Sequence, residues 1–94
     1  MADITASPSD ADVQHPPPVV QYVYLESDPA RRSEMSSLLI ASAAKVGTEP
    51  GCIKYRVSAD MTKPGAFHLF EHWRTEEDLG RHESSPQTRE MLGR

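Results

Sequence analysis

The sequence predicts a small α+β domain with the element order β-α-β-β-α. Three segments alternate apolar and polar residues at the two-residue period of a strand. One longer segment repeats its apolar residues at helical spacing behind an Asp-Pro start signal. A short acidic segment behind a threonine follows the last strand and opens a second helix.

The first strand is Val19 to Glu26 (VVQYVYLE), rich in β-branched and aromatic residues. Its alternation sets Val19, Gln21, Val23 and Leu25 on one face and Val20, Tyr22 and Tyr24 on the other. Asp28-Pro29 then supplies a cap and a proline for the first helical position. Met35, Leu38, Leu39 and Val46 form the apolar stripe of the helix, interrupted by Ser42. Lys45 suits the negative end of the helix dipole, and Gly47 suits the position just past the end.

Glu49-Pro50-Gly51 reads as a turn. Cys52 to Ala59 alternates again, which sets Ile53, Tyr55 and Val57 on one face. Lys63-Pro64-Gly65 is the next turn, and Ala66 to Trp73 the third strand. Phe67, Leu69, Glu71 and Trp73 share one of its faces, and His68, Phe70 and His72 the other. The second and third strands, close in sequence, are expected to pair as an antiparallel hairpin. Thr75 caps the final helix, whose Leu79 and His82 share a face by their i,i+3 spacing. Ser85-Pro86 looks like a second cap and a restart carrying Met91 and Leu92.

The chain has 94 residues, room for one small domain, and its 10 basic and 14 acidic side chains give a net charge of −4. That balance argues against nucleic acid and against an anionic membrane surface, both of which need clustered basic residues. The weakly polar stretch from Ser37 to Ala44 is far too short to cross a bilayer. Only 37% of the residues are hydrophobic, so the core is thin and self-association is one way to bury a further face. A single Cys, Cys52, excludes an intrachain disulfide and a Cys-rich zinc site, and reads as a small buried apolar residue. The N-terminus carries neither the basic residues nor the apolar run of a secretory signal, and a cytoplasmic location is expected. Residues 1–18, with three Asp, no basic residue and a closing His15-Pro16-Pro17-Pro18, read as a disordered acidic leader; residues 19–94 form the domain.

Three strings in register carry a family resemblance: EPGCIKY (Glu49 to Tyr55), FHLFEHW (Phe67 to Trp73) and EEDLGRHESSP (Glu76 to Pro86). They resemble the antibiotic biosynthesis monooxygenase (ABM) domain, whose members read EPGC-x-x-Y, then E-x-W at a strand end, then a short helix with A-L-x-x-H before S-P. The match runs from Val19 to Leu92. It implies a ferredoxin-like β-α-β-β-α-β fold paired into a dimeric α/β barrel, hence a homodimer. It also implies, for many members, monooxygenation of quinols, anthrones and related aromatics without a cofactor. Other members degrade haem, process a small autoinducer sugar or have no known reaction, so the fold does not set the chemistry. Two departures stand out. The chain ends at Arg94 where the family continues into a fourth strand, so the final strand is expected to be missing. Gln87 and Thr88 follow Ser85-Pro86 where the family often has a second His and an aromatic residue.

Among candidate site residues, His82 matches the family's helix histidine and suits acid–base work on a phenolic proton near neutral pH. Glu71 shares the apolar face of the third strand with Trp73 and is either a general base or half of an ion pair. Trp73 either closes the core or walls a planar substrate. Tyr22, Tyr24 and Tyr55 could orient a substrate oxygen, with Tyr24 and Tyr55 the preferred pair. His68 and His72 lie about 13 Å apart on a strand, too far to share one ion, so no metal site is expected. Haem is disfavoured, because haem-degrading relatives use an asparagine on the first strand and Val19 to Glu26 has none. The leading expectation is an enzyme that needs no cofactor and oxidises a small aromatic quinol or phenol with dioxygen. The rivals are a non-catalytic dimeric barrel binding a small aromatic ligand and an isomerase acting on a small sugar.

Overall fold

The computed structural model describes residues 17–86, 88 and 89. Apart from Pro17 and Pro18, the expected leader lies outside the described residues, as do Gln87, Met91 and Leu92.

Three strands and two helices follow the expected order: β1 (Val19–Glu26), α1 (Arg32–Val46), β2 (Cys52–Ala59), β3 (Ala66–Trp73) and α2 (Glu76–Glu83). The sheet order is β1-β3-β2, and β3 pairs antiparallel with both neighbours. This is the α+β, ferredoxin-like arrangement without its final strand, and no fourth strand occurs among the described residues. Both β1 and β2 therefore have one edge without a strand partner there.

β3 is central because its inward residues are apolar or internally satisfied: Phe67, Leu69, Glu71 and Trp73 are all buried. They meet Leu39 and Val46 of α1 and Tyr55 of β2 in one core, with Val23, Leu25, Met35, Ala43, Cys52, Val57 and Leu79 packed around it. Each large apolar side chain fully buried here stabilises the fold by roughly 1.5–3 kcal/mol. Among the described residues no helix covers the outer face of the sheet, and Val20, Tyr22, Tyr24 and Phe70 are exposed on it.

Two local expectations are corrected. The ladder shifts between Cys52 and Lys54, so that Cys52 faces Trp73 while Tyr55 faces Glu71. This bulge puts one extra residue between two inward positions. Ile53 thereby leaves the core face it was expected to share with Tyr55 and Val57, and is 49% exposed. Cys52 is half-buried rather than buried, and its burial together with the nearby Glu49 and Glu71 charges pushes its thiol pKa up. Gly47 directly follows α1, as expected, and caps it with a right-handed φ of −60° while its N–H donates to the Ala43 carbonyl. Helix entry also differs in detail, because Pro29–Arg31 form a 3-10 turn under an Asp28 carboxylate that accepts from Ala30 N–H at 2.9 Å.

Two turns hold the hairpin and its ends. Asp60 Oδ1 accepts from the Thr62 N–H and hydroxyl, both at 2.7 Å, and from the Lys63 N–H at 3.0 Å. The Thr62 hydroxyl and His68 hold this carboxyl far below the usual carboxylate range. At the other end, Gly51 has φ +82°, and a Cβ there would lie 2.2 Å from Asp78 Cγ at the start of α2. Its carbonyl accepts from Arg74 N–H at 2.8 Å, tying the end of β3 to the turn.

This close approach predicts opposite outcomes at two glycines. Gly51→Ala meets both a left-handed backbone and Asp78, and should lose about 2 kcal/mol or more. Gly80 sits in the interior of α2 with nothing within 4 Å of an added Cβ. Gly80→Ala should gain about 0.5–1 kcal/mol. Denaturant unfolding of the two variants checks the pair; equal effects would contradict the packing described.

Candidate active site

The Trp73 end of the sheet brings together four of the five site residues read from the sequence. Register puts Gln21, Glu71 and Tyr55 side by side across β1, β3 and β2, with Trp73 on the same face of β3. α2 lies above this row. Thr75 starts it, its hydroxyl accepting the Asp78 N–H at 3.0 Å, and Glu76, Glu77 and Asp78 fill the first turn where they complement the helix dipole. One and a half turns later His82 faces the sheet and is only 4% exposed.

His82 is the centre of the cluster. Its ring stacks on the Trp73 indole with centroids 4.8 Å apart at 28°, and meets the Tyr55 ring edge-on at 5.9 Å. Its Nδ1 lies 2.9 Å from Glu49 Oε1 and 3.3 Å from the hydroxyl of Thr88. Its Nε2 lies 3.8 Å from Glu71 Oε1, which also accepts the Trp73 indole N–H at 3.0 Å. Glu49, when ionised, can only accept, and so takes a hydrogen bond from Nδ1–H. Carboxylate oxygens thus face both ring nitrogens.

Buried polar groups need partners, and these supply one another. Tyr55 is held as the neutral phenol: burial raises its pKa strongly, the Glu71 and Glu49 charges add to this, and a hydrogen bond with Ser42 works the other way. Ser42, which breaks the apolar stripe of α1, thus has a polar task at the sheet. Thr88, buried at 5% and capped by Ser85, occupies a place beside His82.

Tyr24 stands apart. It projects from the outer face of β1, is 42% exposed and packs against His68 rather than His82. Alternation had already put it opposite Val23 and Leu25, so its distance from Tyr55 follows from the strand period. Glu49 was not singled out from the sequence, where it served only as the first residue of a turn. Its position as the opening residue of the EPGC string was the available signal. Among the described residues no group of three His, Cys, Asp or Glu side chains is placed to hold a metal ion. An open cleft of about 400 Å³, lined by Arg32, Ser33, Ser36, Asp60, Met61 and Phe67 among others, lies at the other end of β3 and includes none of the His82 cluster.

The stacking generates an optical prediction. Trp73 is the chain's one tryptophan. Because the His82 ring stacks on its buried indole, His82→Ala should change the intensity and shift the maximum of Trp73 emission to the red. A spectrum identical to wild type would contradict the stacking.

The profile of the antibiotic biosynthesis monooxygenase family matches residues 18–94. No curated protein matches the chain. Among solved structures, a candidate antibiotic biosynthesis monooxygenase from Deinococcus radiodurans is 26% identical, with a TM-score of 0.75 over 79% of this chain and 73% of that one. Rv0793 from Mycobacterium tuberculosis is 27% identical, with a TM-score of 0.73 over 82% of this chain and 78% of its own. PA3566 from Pseudomonas aeruginosa, 22% identical with a TM-score of 0.75 over 84% and 80% of the two chains, shares the fold. With the profile spanning strands, helices and the His82 cluster alike, the chain belongs to the antibiotic biosynthesis monooxygenase family.

Proposed function

We propose that the chain is a cofactor-independent monooxygenase that oxidises a small quinol- or phenol-type aromatic with dioxygen. The observation that supports this most directly is the buried His82, hydrogen-bonded by Glu49 and stacked on Trp73. His82 Nε2 takes the phenolic proton, and the ion pairs with Glu49 and Glu71 hold the resulting imidazolium. The electron-rich anion passes an electron to dioxygen; the radical pair joins at a ring or methylene carbon bearing hydrogen. The peroxide then loses water, leaving a carbonyl. One oxygen atom stays on carbon and the other leaves as water with two substrate hydrogens, so no outside reductant is consumed. Trp73 and Tyr55 wall the ring, and burial keeps water from the anion.

Substrate entry requires α2 to shift, since His82, Glu71 and Trp73 are 4%, 3% and 0% exposed. That helix has only eight residues and is held at its far end by Gln21 Nε2 donating to Glu83 at 3.1 Å. Movement of a short element over a site is an ordinary gating step. The same closed packing favours a second reading, a non-catalytic module in which the cluster serves only to hold α2.

Oxygen uptake with a metal-free panel of naphthols and anthrones separates the readings. Saturable uptake above a heat-denatured control is expected, with His82→Ala losing about 10²–10⁴-fold in turnover and little in affinity. Glu49→Gln should lower turnover less. Uptake equal to the control across the panel favours the non-catalytic module; turnover of a sugar substrate without oxygen uptake favours the isomerase.

We also propose that a second copy covers the outer sheet face, where Val20, Tyr22 and Phe70 are 59%, 60% and 39% exposed. Sedimentation should find a dimer that Phe70→Glu converts to monomer; a monomeric wild type at micromolar concentration would refute it.

A further inference from the structure

The cleft at the far end of β3 is separate from the His82 cluster, and the proposed reaction does not use it. It measures about 400 Å³ and is bounded by the first turns of α1 and by the β2–β3 hairpin. Ala59 and Phe67, directly across from each other in the ladder, line it from the sheet. Phe67 is buried, whereas Ala59 is exposed although it shares the inner face, so α1 leaves this corner of the sheet open.

Both walls are tied in place. The Gly65 carbonyl accepts the Ser27 N–H at 2.7 Å and the Ser27 hydroxyl at 3.1 Å. Gly65 has φ +89°, and a Cβ there would lie 2.5 Å from the Ser27 carbonyl oxygen and 3.2 Å from Pro29 Cα. The segment leading into α1 is thereby held against the hairpin. The hairpin turn is itself fixed by Asp60, through Thr62 and Lys63. A cleft between tied walls exists before a ligand arrives, so little ordering cost opposes binding.

The polar groups of the lining favour an anion. Arg31 clamps Glu34 with Nε at 3.0 Å and Nη2 at 2.8 Å. Arg32, which lines the cleft, has no carboxylate partner among the described residues. Ser33 and Ser36, three residues apart on one side of α1, add two hydroxyls. Asp60 is the one carboxylate of the lining, and both of its oxygens are engaged. Its Oδ1 accepts from Thr62 and Lys63, and its Oδ2 lies 2.8 Å from His68 Nε2. A guanidinium fork matches a planar carboxylate, and the apolar sheet corner suits a compact body behind it.

We propose that this cleft is a binding site for a small monocarboxylate with a compact apolar body. The Arg32 guanidinium pairs with the carboxylate oxygens, Ser33 and Ser36 donate to the same group, and the body rests on Ala59 and Phe67. A phosphate monoester fits less well, because its second negative charge would face Asp60. Ala59 and Phe67 belong to the inner face of the sheet, so the site is apart from the face given above to a second copy. It is also independent of the reaction proposed for His82.

The test titrates benzoate into the isotope-labelled full chain at neutral pH and follows the amide shifts, with benzamide as the uncharged control of the same shape. Saturable shifts are expected at Ser33, Ser36, Ala59 and Phe67, and benzamide should leave them in place. Arg32→Gln should weaken benzoate binding about tenfold or more. Ala59→Leu should block the body while the charge stays intact, and His82→Ala should bind as wild type does. Absence of saturable shifts, as would follow if a second copy covered the cleft, overturns the proposal. Equal affinities for benzoate and benzamide, or shifts centred on His82 and Trp73, overturn it as well. Inorganic phosphate binding more tightly than benzoate would overturn the ligand class. The benzoate and benzamide comparison uses the unaltered protein, so it decides the matter even if a variant misfolds.

Discussion

A carboxylate cannot remain in an apolar sheet–helix interface without partners, and Glu71 sits there at 3% exposure. Its position on β3 is unavoidable once Phe67, Leu69 and Trp73 point inward, because strand alternation carries residue 71 to the same face. The indole N–H of Trp73 satisfies one oxygen from below, and His82 approaches the same oxygen from above. Much of the upper part of the molecule follows from that requirement: α2 must lie where residue 82 reaches the sheet, and a second carboxylate must meet the far side of the imidazole. Such a network is worth more complete than partly made, since each lost member strands a buried group.

Backbone geometry delivers the second carboxylate. Glu49 opens a turn in which its own carbonyl accepts the Cys52 N–H at 3.1 Å and the Gly51 carbonyl accepts the Arg74 N–H. The turn is thus pinned between the start of β2 and the end of β3, and the left-handed Gly51 leaves room for Asp78. The bulge that follows moves Ile53 outward and aims Tyr55 at Glu71. Turn, bulge and helix cap therefore converge on one place, and the chemistry proposed for His82 inherits its geometry from them. The cost of this design is a closed site, because the same side chains that position the imidazole fill the space above the strand.

The two faces of the sheet place similar residue types in different surroundings. Inside, His82 lies buried between carboxylates beside Trp73. Outside, His68 lies between Asp60 and Tyr22 in contact with solvent. Alternation along β3 is enough to separate them, since residues 68 and 71 differ by an odd number.

The elements, their order and the inward face of β3 were legible in the sequence because each is a local matter of period, cap and turn. The resemblance of EPGCIKY, FHLFEHW and EEDLGRHESSP pointed to the family for the same reason, being strings of neighbouring residues. His82, Glu71, Trp73 and Tyr55 could be named as candidates, but nothing local says that they meet. Only the tertiary structure decided that Glu49 pairs with His82, that Ser42 hydrogen-bonds with Tyr55, and that Tyr24 belongs to the other face with His68. It also displaced Ile53, because a bulge depends on how β2 registers against β3 and leaves no mark in the alternation of β2 alone. Contacts between residues far apart in the chain are set by packing, which summed side-chain shapes determine and no short window of sequence contains.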